Sequence, residues 1–390
     1  MAVTPVQPFR KGIPGFYVSV ELALGANWND TAPTWTDVSS RVRFTPGTGI
    51  SLSAGRDDEY SIVSPGQFTI DFNNLDGAFD PENAASPYYP NIEFDTPCRI
   101  TCYYPTPSTS YVQMVGVVDQ WEFTYQPGGD SVCRASGNEM MAMLARYRLN
   151  GFPFLSTTGI TRCQEICSRV PWPTAWQSFI GMTGVLVAGT VLSSDALTEL
   201  QKVTDGQIVV LYQNRNGILT DKSFFATAGG TNIGTGPAGS VAAIREFTKV
   251  RGGVGIYTMV EITAPGAGAN GADYVATKVV NASWVTRYGQ ISLQKTISQA
   301  SSTTAQGVAS SYASSLATRS FTRPQSITIY PGRDPATLMP IVLAADQFTG
   351  ITVKHRAPGT NKTMSIDATI RSRSLKITRD GFVVNWTCSQ

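Results

Sequence analysis

The residues able to do acid–base, nucleophilic or metal chemistry are few in this chain and poorly grouped. A single histidine, His355, serves 390 residues, which excludes any mechanism or metal site that needs two imidazoles. It lies between Lys354 and Arg356, whose charge disfavours its protonation. No cysteine or serine partner is visible for it, so it reads as a surface residue. The six cysteines are Cys98, Cys102, Cys133, Cys163, Cys167 and Cys388. None forms a CxxC pair, which argues against a zinc ribbon or a thioredoxin-like centre. Cys163 and Cys167 fall on one side of a predicted helix. They read as small buried core residues, with a ligand or redox pair as the alternative.

The carboxylates are no better arranged. Asp57-Asp58-Glu59 offers a general acid and base by type, but an isolated acidic triplet in a polar stretch reads as a solvated loop. The loop Asp71 to Asp80 is acidic and rich in turn residues. An EF-hand needs glycine sixth and an oxygen ligand first; aligning Gly77 as sixth puts Phe72 first, so this is a β-turn and not a cation site. No GxSxG elbow, HExxH helix, P-loop or GxGxxG after a strand occurs. The expectation is a non-enzyme with no catalytic, cofactor or metal residues and no cofactor.

The elements around these residues are mostly strands. Apolar residues make up 42% of the chain and charged ones only 15%, against roughly a quarter in an ordinary soluble chain. Glycine (36) and proline (23) fill part of the gap, a mix that favours strands and turns over long solvated helices. The net charge of +2 gives no basic field to attract nucleic acid. A large chain with few charges suits one that hides surface in an assembly. The start, Met1-Ala2-Val3-Thr4-Pro5, shows no signal peptide. The most apolar stretch, Phe179 to Leu192, is too short and too glycine-rich to span a bilayer and reads as a buried strand pair. The reading is of a protein made in a reducing cytoplasm, with no membrane partner.

Periodicity places the elements. Phe16 to Leu22, Gln67 to Asn73, Cys98 to Tyr104 and Tyr111 to Trp121 read as strands separated by turn signals. In the last of these, Val115, Val117 and Trp121 share a side. Ser136-Gly137-Asn138-Glu139 fits a capping box, with Met140, Leu144 and Tyr147 on one face of the helix it would start. Further helices are predicted at 161–170 and 194–203, then a strand at 208–212 and a hairpin turn at Asn216-Gly217. Val250 to Ile262 reads as one strand and Ala272 to Ala282 as another. Ser298 to Thr318 reads as an Ala/Ser-rich helix that Arg323-Pro324 follows as a break. Strands close the chain at 326–330, 351–353, 364–370, 374–377 and 382–386.

Charge is unevenly placed. Residues 51–95 are acidic apart from Arg56, and the last forty residues are basic, with Lys354, Arg356, Lys362, Arg371, Arg373, Lys376 and Arg379 against Asp367 and Asp380. These are solvated faces, a surface for a polyanion, or complementary surfaces of neighbouring subunits. No aromatic–basic interleaving suggests base stacking.

One succession of residues is distinctive. Ser51 to Asp58 leads through Ser64-Pro65-Gly66-Gln67-Phe68-Thr69-Ile70 to Asn74-Leu75-Asp76-Gly77-Ala78-Phe79-Asp80-Pro81. Pro87-Tyr88-Tyr89-Pro90, Cys98-Arg99-Ile100 and Gly116-Val117-Val118-Asp119-Gln120-Trp121 follow. Later come the Asn216-Gly217 turn, Ser283, Tyr288-Gly289, the Ala/Ser helix, Pro324, Asp346, Ile351-Thr352-Val353 and Trp386. This order resembles the minor tail proteins that form the tail-tip (baseplate) hub of long-tailed siphophages.

The resemblance implies a mainly β chain with an α+β insertion: a first β-barrel hub domain at 1–132, an inserted domain at 133–245, of which 206–245 partly returns to the first barrel, and a second barrel at 246–390 that includes the helix at about 298–318. It implies a homotrimer whose pseudo-sixfold ring adapts a sixfold tube or distal tail ring to a threefold tip. The partners it implies are the distal tail protein ring, the tape-measure protein, tail-tip or fibre proteins, and DNA in transient passage. The location it implies is the virion tail tip. Tyr88, Tyr89, Trp121 and Trp386 are candidates for the core or for the subunit interface, and Arg371 and Arg373 are candidates for the interface. The alternatives are a hexameric distal tail protein, a carbohydrate-binding tail-tip protein, and a glycoside hydrolase, which would need two carboxylates across a cleft roughly 5 to 10 Å wide.

Overall fold

A computed structural model describes the chain except residues 1–4, 9–12, 57–59, 127–129, 183–185, 188, 225–229, 235–241, 245, 252–255, 319–321, 357–362 and 390. The acidic triplet at 57–59 and Lys362 therefore lie outside the described residues.

The first third is β: β1 (Tyr17–Leu22), β2 (Thr36–Asp37), β3 (Gly49–Gly55), β4 (Ser64–Asn73), β5 (Thr96–Tyr103), β6 (Ser110–Tyr125) and β7 (Ser131–Glu139). The middle alternates: β8 (Pro153–Phe154), β9 (Thr157–Thr158), α1 (Gly159–Arg169), β10 (Gln177–Ser178), β11 (Leu186–Val187), β12 (Thr190–Val191), α2 (Ala196–Gly206), β13 (Val209–Gln213) and β14 (Leu219–Ser223). The last part holds β15 (Thr231–Gly234), β16 (Ala242–Ala243), β17 (Glu246–Arg251), β18 (Met259–Ala264), β19 (Tyr274–Val279), α3 (Ala282–Tyr288), β20 (Ser292–Thr296), α4 (Ser302–Ala317), β21 (Thr322–Ile329), α5 (Pro335–Ala344), β22 (Gly350–Arg356), β23 (Thr363–Thr378) and β24 (Gly381–Ser389).

Both ends of the chain share one 14-stranded sheet, ordered β16-β15-β22-β23-β3-β4-β7-β6-β5-β1-β2, with β24, β21 and β17 branching from β23. The branch point is a length effect. β23 has 16 residues; its first half pairs with β22, its second with β3, and its other edge with β24. One hydrophobic core runs under both halves, and Phe16 stacks on Phe382 with ring centroids 5.3 Å apart. At the join Gly55 has φ +128°, and a Cβ there would stand 2.4 Å from the Arg371 carbonyl oxygen, so only glycine fits.

Two smaller units pack beside this sheet. One core gathers α1, α2, the 3₁₀ turn at Met140–Arg146 and β13. Another lies between α4 and the sheet β19-β18-β20, closed by Tyr60, Val63 and Phe224. Between β17 and β21 the chain thus leaves the large sheet and makes a unit of its own.

The helices at 161–170, 194–203 and 298–318 form as α1, α2 and α4. Thr158, Asp195 and Ser301 accept hydrogen bonds from the first free amides of these helices, as side-chain caps do. Several expectations fail for physical reasons. Ser136 to Glu139 is no capping box; it stays in β7, paired with β4 and β6. Val250 to Ile262 is not one strand, since β17 and β18 lie in different sheets. Pro324 is no break: it sits inside β21 opposite Lys249, where the register with β17 shifts, a place where a missing N–H does little harm. The strands expected at 364–370 and 374–377 are the single β23. The stretch Phe179 to Leu192 is not a buried pair, because β11 and β12 pair instead with β9 and β8 and Ile180 and Val191 are exposed. His355 is half-buried with its ring 5.6 Å from Phe247, not a surface residue. Trp121 parts from Val115 and Val117: a bulge between Val118 and Gln120 turns it into the large core, while the two valines face the insertion.

Candidate assembly surface

The loop joining β4 to β5 is built from its polar side chains upward. The Asn74 side-chain oxygen accepts from Phe79 N–H at 2.8 Å, Asp80 from Glu82 N–H at 2.9 Å and Asn83 from Ala85 N–H at 3.1 Å. These acidic and amide oxygens serve the loop's own backbone, which is turn chemistry. Arg41 donates to both oxygens of Asp76 at 2.9 Å and to the Tyr88 hydroxyl at 3.1 Å. That guanidinium holds the Asp76 carboxyl below its ordinary range against the opposing effect of desolvation. Under the loop Phe79 is buried, with ring centroids 4.5 Å from Phe72, 5.2 Å from Tyr88 and 5.9 Å from Trp121. The Trp121 indole N–H donates to the Glu93 carbonyl at 2.9 Å.

This packing turns other apolar side chains outward. Tyr89 is 47% exposed and Phe94 70%; Leu75, in the same loop, and Tyr125, at the end of β6, are exposed too, the Tyr125 hydroxyl donating to Asp80. A second group of exposed apolar residues, Val275, Val279, Tyr288 and Ile291, lies on the β18–β20 unit. A single exposed apolar residue is ordinary; several on one unit are where an interaction surface would form.

The other candidates lie elsewhere. Trp386 is 1% exposed inside the large core. Arg373 is 3% exposed; it donates to the Gln113 carbonyl and, at 3.1 Å, to its side-chain oxygen, and its Nε lies 3.5 Å from Asp346. Arg371 is likewise buried. The structure therefore brings Tyr88 and Trp121 together under the loop, leaves Tyr89 on the surface, and draws Trp386, Arg371 and Arg373 inside. The basic run reads in sequence as an outward face, but side chains alternate across β23: Arg371 and Arg373 share the buried face with Leu375 and Ile377, while Lys376 falls on the other and is exposed.

Sequence reasoning missed the residues around Arg373. Gln113 also donates to the Leu343 carbonyl at 3.1 Å. Asp346 accepts from Arg215 N–H at 2.9 Å, tying in the β13–β14 hairpin. Nearby Glu139 is fully buried, and burial pushes its carboxyl up to about 8 against the opposing Gly66 N–H bond and Arg373 charge. A Cβ on Gly66 would come within 2.8 Å of the Glu139 carboxyl carbon. The helix α5 that ends at this network was also missed; its signal was Asp334-Pro335, a capping residue followed by proline at the first helical position.

All six thiols are buried and free, and burial pushes each upward. Cys163 and Cys167 face the core of the insertion, with Cys163 sulfur 3.9 Å from that of Met182. Among the described residues no three His, Cys, Asp or Glu side chains converge as a metal site would require, and no helix is long and apolar enough to cross a membrane.

No protein-family profile matches the chain, and no curated protein matches its sequence. Solved structures do match. The tail protein from Neisseria meningitidis is 10% identical and superposes over 96% of this chain and 96% of its own, with a TM-score of 0.60. The 43 kDa tail protein of prophage MuSo2 from Shewanella oneidensis is 12% identical over 96% of this chain and 98% of its own, at 0.59. Prophage tail protein gp18 from Listeria monocytogenes is 10% identical over 95% and 94%, at 0.50. From one end to the other, with its large antiparallel sheet and its α/β units, this chain has the fold of these tail proteins.

Proposed function

We propose that the chain is a structural component of a phage-type tail, located in the virion, and that it is the trimeric hub at the tail tip. The observation that supports this is the superposition over nearly the whole of both chains at a tenth of identical residues, with a TM-score of 0.60. In this reading the two ends of the chain supply two barrel-like halves that meet in the large sheet, the first running on through β7 and the second beginning at β15, so the insertion is shorter than the expected 133–245 and holds α1, α2 and β8 to β14, with β18 to α4 as an outgrowth of the second half. Three copies would close a ring that adapts a sixfold tube or distal tail ring to a threefold tip, around a lumen for the tape-measure protein and then DNA, with tail-tip or fibre proteins below. Such a ring needs one face of each subunit to match a different face of the next. Two apolar groups on different units, Tyr89 with Phe94 and Val275 with Val279, suit that requirement. The work is geometric, and no catalytic step is part of it.

Light scattering on the purified chain tests the reading. The expected mass is three times 41.9 kDa. Six times that mass moves the protein to a distal tail ring. A monomer that turns over peptidoglycan overturns the structural reading altogether.

A further inference from the structure

Where the first half of the large sheet meets the insertion, Trp28, Trp35 and Trp176 open on one groove of about 210 Å³. Each of the three indoles is half-buried, so each is fixed and still presents surface. Trp172 anchors two of them: it is buried, with ring centroids 5.9 Å from Trp28 and 6.0 Å from Trp176. The third is held by Arg99, whose guanidinium lies 4.6 Å from the Trp35 ring. Arg99 is itself locked by two bonds to the buried Glu21 carboxylate, at 2.8 and 2.9 Å. Asp30 and Asn216 stand exposed at the rim. One Asp30 oxygen accepts from Ala32 N–H at 2.9 Å, which fixes the carboxylate and leaves its second oxygen for a ligand.

The lining selects a chemistry. Indole faces carry partial negative charge and favour polarised C–H groups lying flat on them. A fixed carboxylate and an amide at the rim supply acceptors and donors for hydroxyls. The Arg99 charge is already matched by Glu21, and Asp30 adds a negative one, so the groove disfavours phosphates and other anions. Its volume holds about one six-membered ring; an extended proline-rich segment needs a longer aromatic-lined track. We propose that this groove binds a single neutral pyranose unit of a cell-surface polysaccharide, stacked on the indoles and hydrogen-bonded at Asp30 and Asn216. The proposal stands apart from the hub reading, since a ring that bound no sugar would still be a ring.

The test uses the full-length chain with glucose, galactose, mannose, rhamnose and N-acetylglucosamine, followed by tryptophan fluorescence and saturation-transfer NMR, with decaproline as a control ligand. At least one sugar is expected to shift the tryptophan emission and receive saturation. Asp30→Ala, at an exposed site, and Trp176→Ala should each weaken that binding roughly tenfold, the scale of one lost ligand contact. Leu155→Ala, at an exposed side chain outside the groove, should leave it unchanged. If none of the five sugars binds, if decaproline binds in their place, or if Asp30→Ala, folded by circular dichroism, binds as the parent does, the proposal is overturned.

Discussion

The join between the two halves of the large sheet and the loop from Asn74 to Phe94 use the same residue types to different ends. In the loop the Arg41–Asp76 pair stands in water, with side chains 26% and 57% exposed. At the join Arg373, Gln113 and Glu139 are all but sealed. An exposed ion pair gains little over its hydrated parts. A buried guanidinium that loses its partners, or gains a like neighbour, leaves a charge in a poorly screened interior. The comparison shows that the loop is held by turns and aromatic stacking, with its charges as trim, while the join depends on its polar groups being matched.

The sharpest way to break this contrast is charge reversal. Arg373→Glu should destabilise the chain by about 3–5 kcal/mol, seen as a large fall in the thermal midpoint, because it sets a carboxylate among Gln113, Asp346 and Glu139. A midpoint near that of the parent would show that the join does not hold the two halves.

Next comes pH. The folded Glu139 carboxyl titrates near 8, above its ordinary 4.5, so between these values the folded chain holds the proton that the unfolded chain gives up. Its contribution is complete below pH 4.5 and is lost as pH rises through 8, at up to about 1.4 kcal/mol per pH unit. Glu139→Gln keeps an acceptor for Gly66 N–H and should flatten that slope in denaturant melts taken from pH 5 to 8. An unchanged slope would remove Glu139 as its source.

On the loop the effects should fall on assembly and not on folding. Phe94→Glu should shift the light-scattering mass toward the single chain, with stability within about 0.5 kcal/mol of the parent. Raising ionic strength should leave the oligomer intact, since Arg371 and Arg373, which looked available to pair between subunits, are buried; dissociation in salt would restore a charged interface. The smallest effect belongs to Arg41→Ala, a loss below about 1 kcal/mol in the same melts, with Tyr88 still packed against Phe79.

Much of this was legible along the chain. Alternation at Gln67 to Asn73 marked β4, and spacing along 161–170, 194–203 and 298–318 marked three helices. The Asn74–Asp80 turns could be read because their bonds join residues two to five apart. What misled was any feature whose partner is distant. Glu139 looked like the end of a capping box until Gly66 claimed its carboxylate across 73 residues of chain. Trp121 looked like a neighbour of Val117 until one extra residue turned it over. The groove of three tryptophans left no trace at all, since Trp28, Trp35 and Trp176 share no spacing.

The sequence by itself determined the alternating strands of the first third, the turns after Asn74 and the apolar spacing of three helices, because those depend on contacts within a few residues. The tertiary structure alone decided which charges go inside. Arg373 meets Gln113 across 260 residues, and local order cannot report a pairing in which the intervening chain does nothing but close the distance.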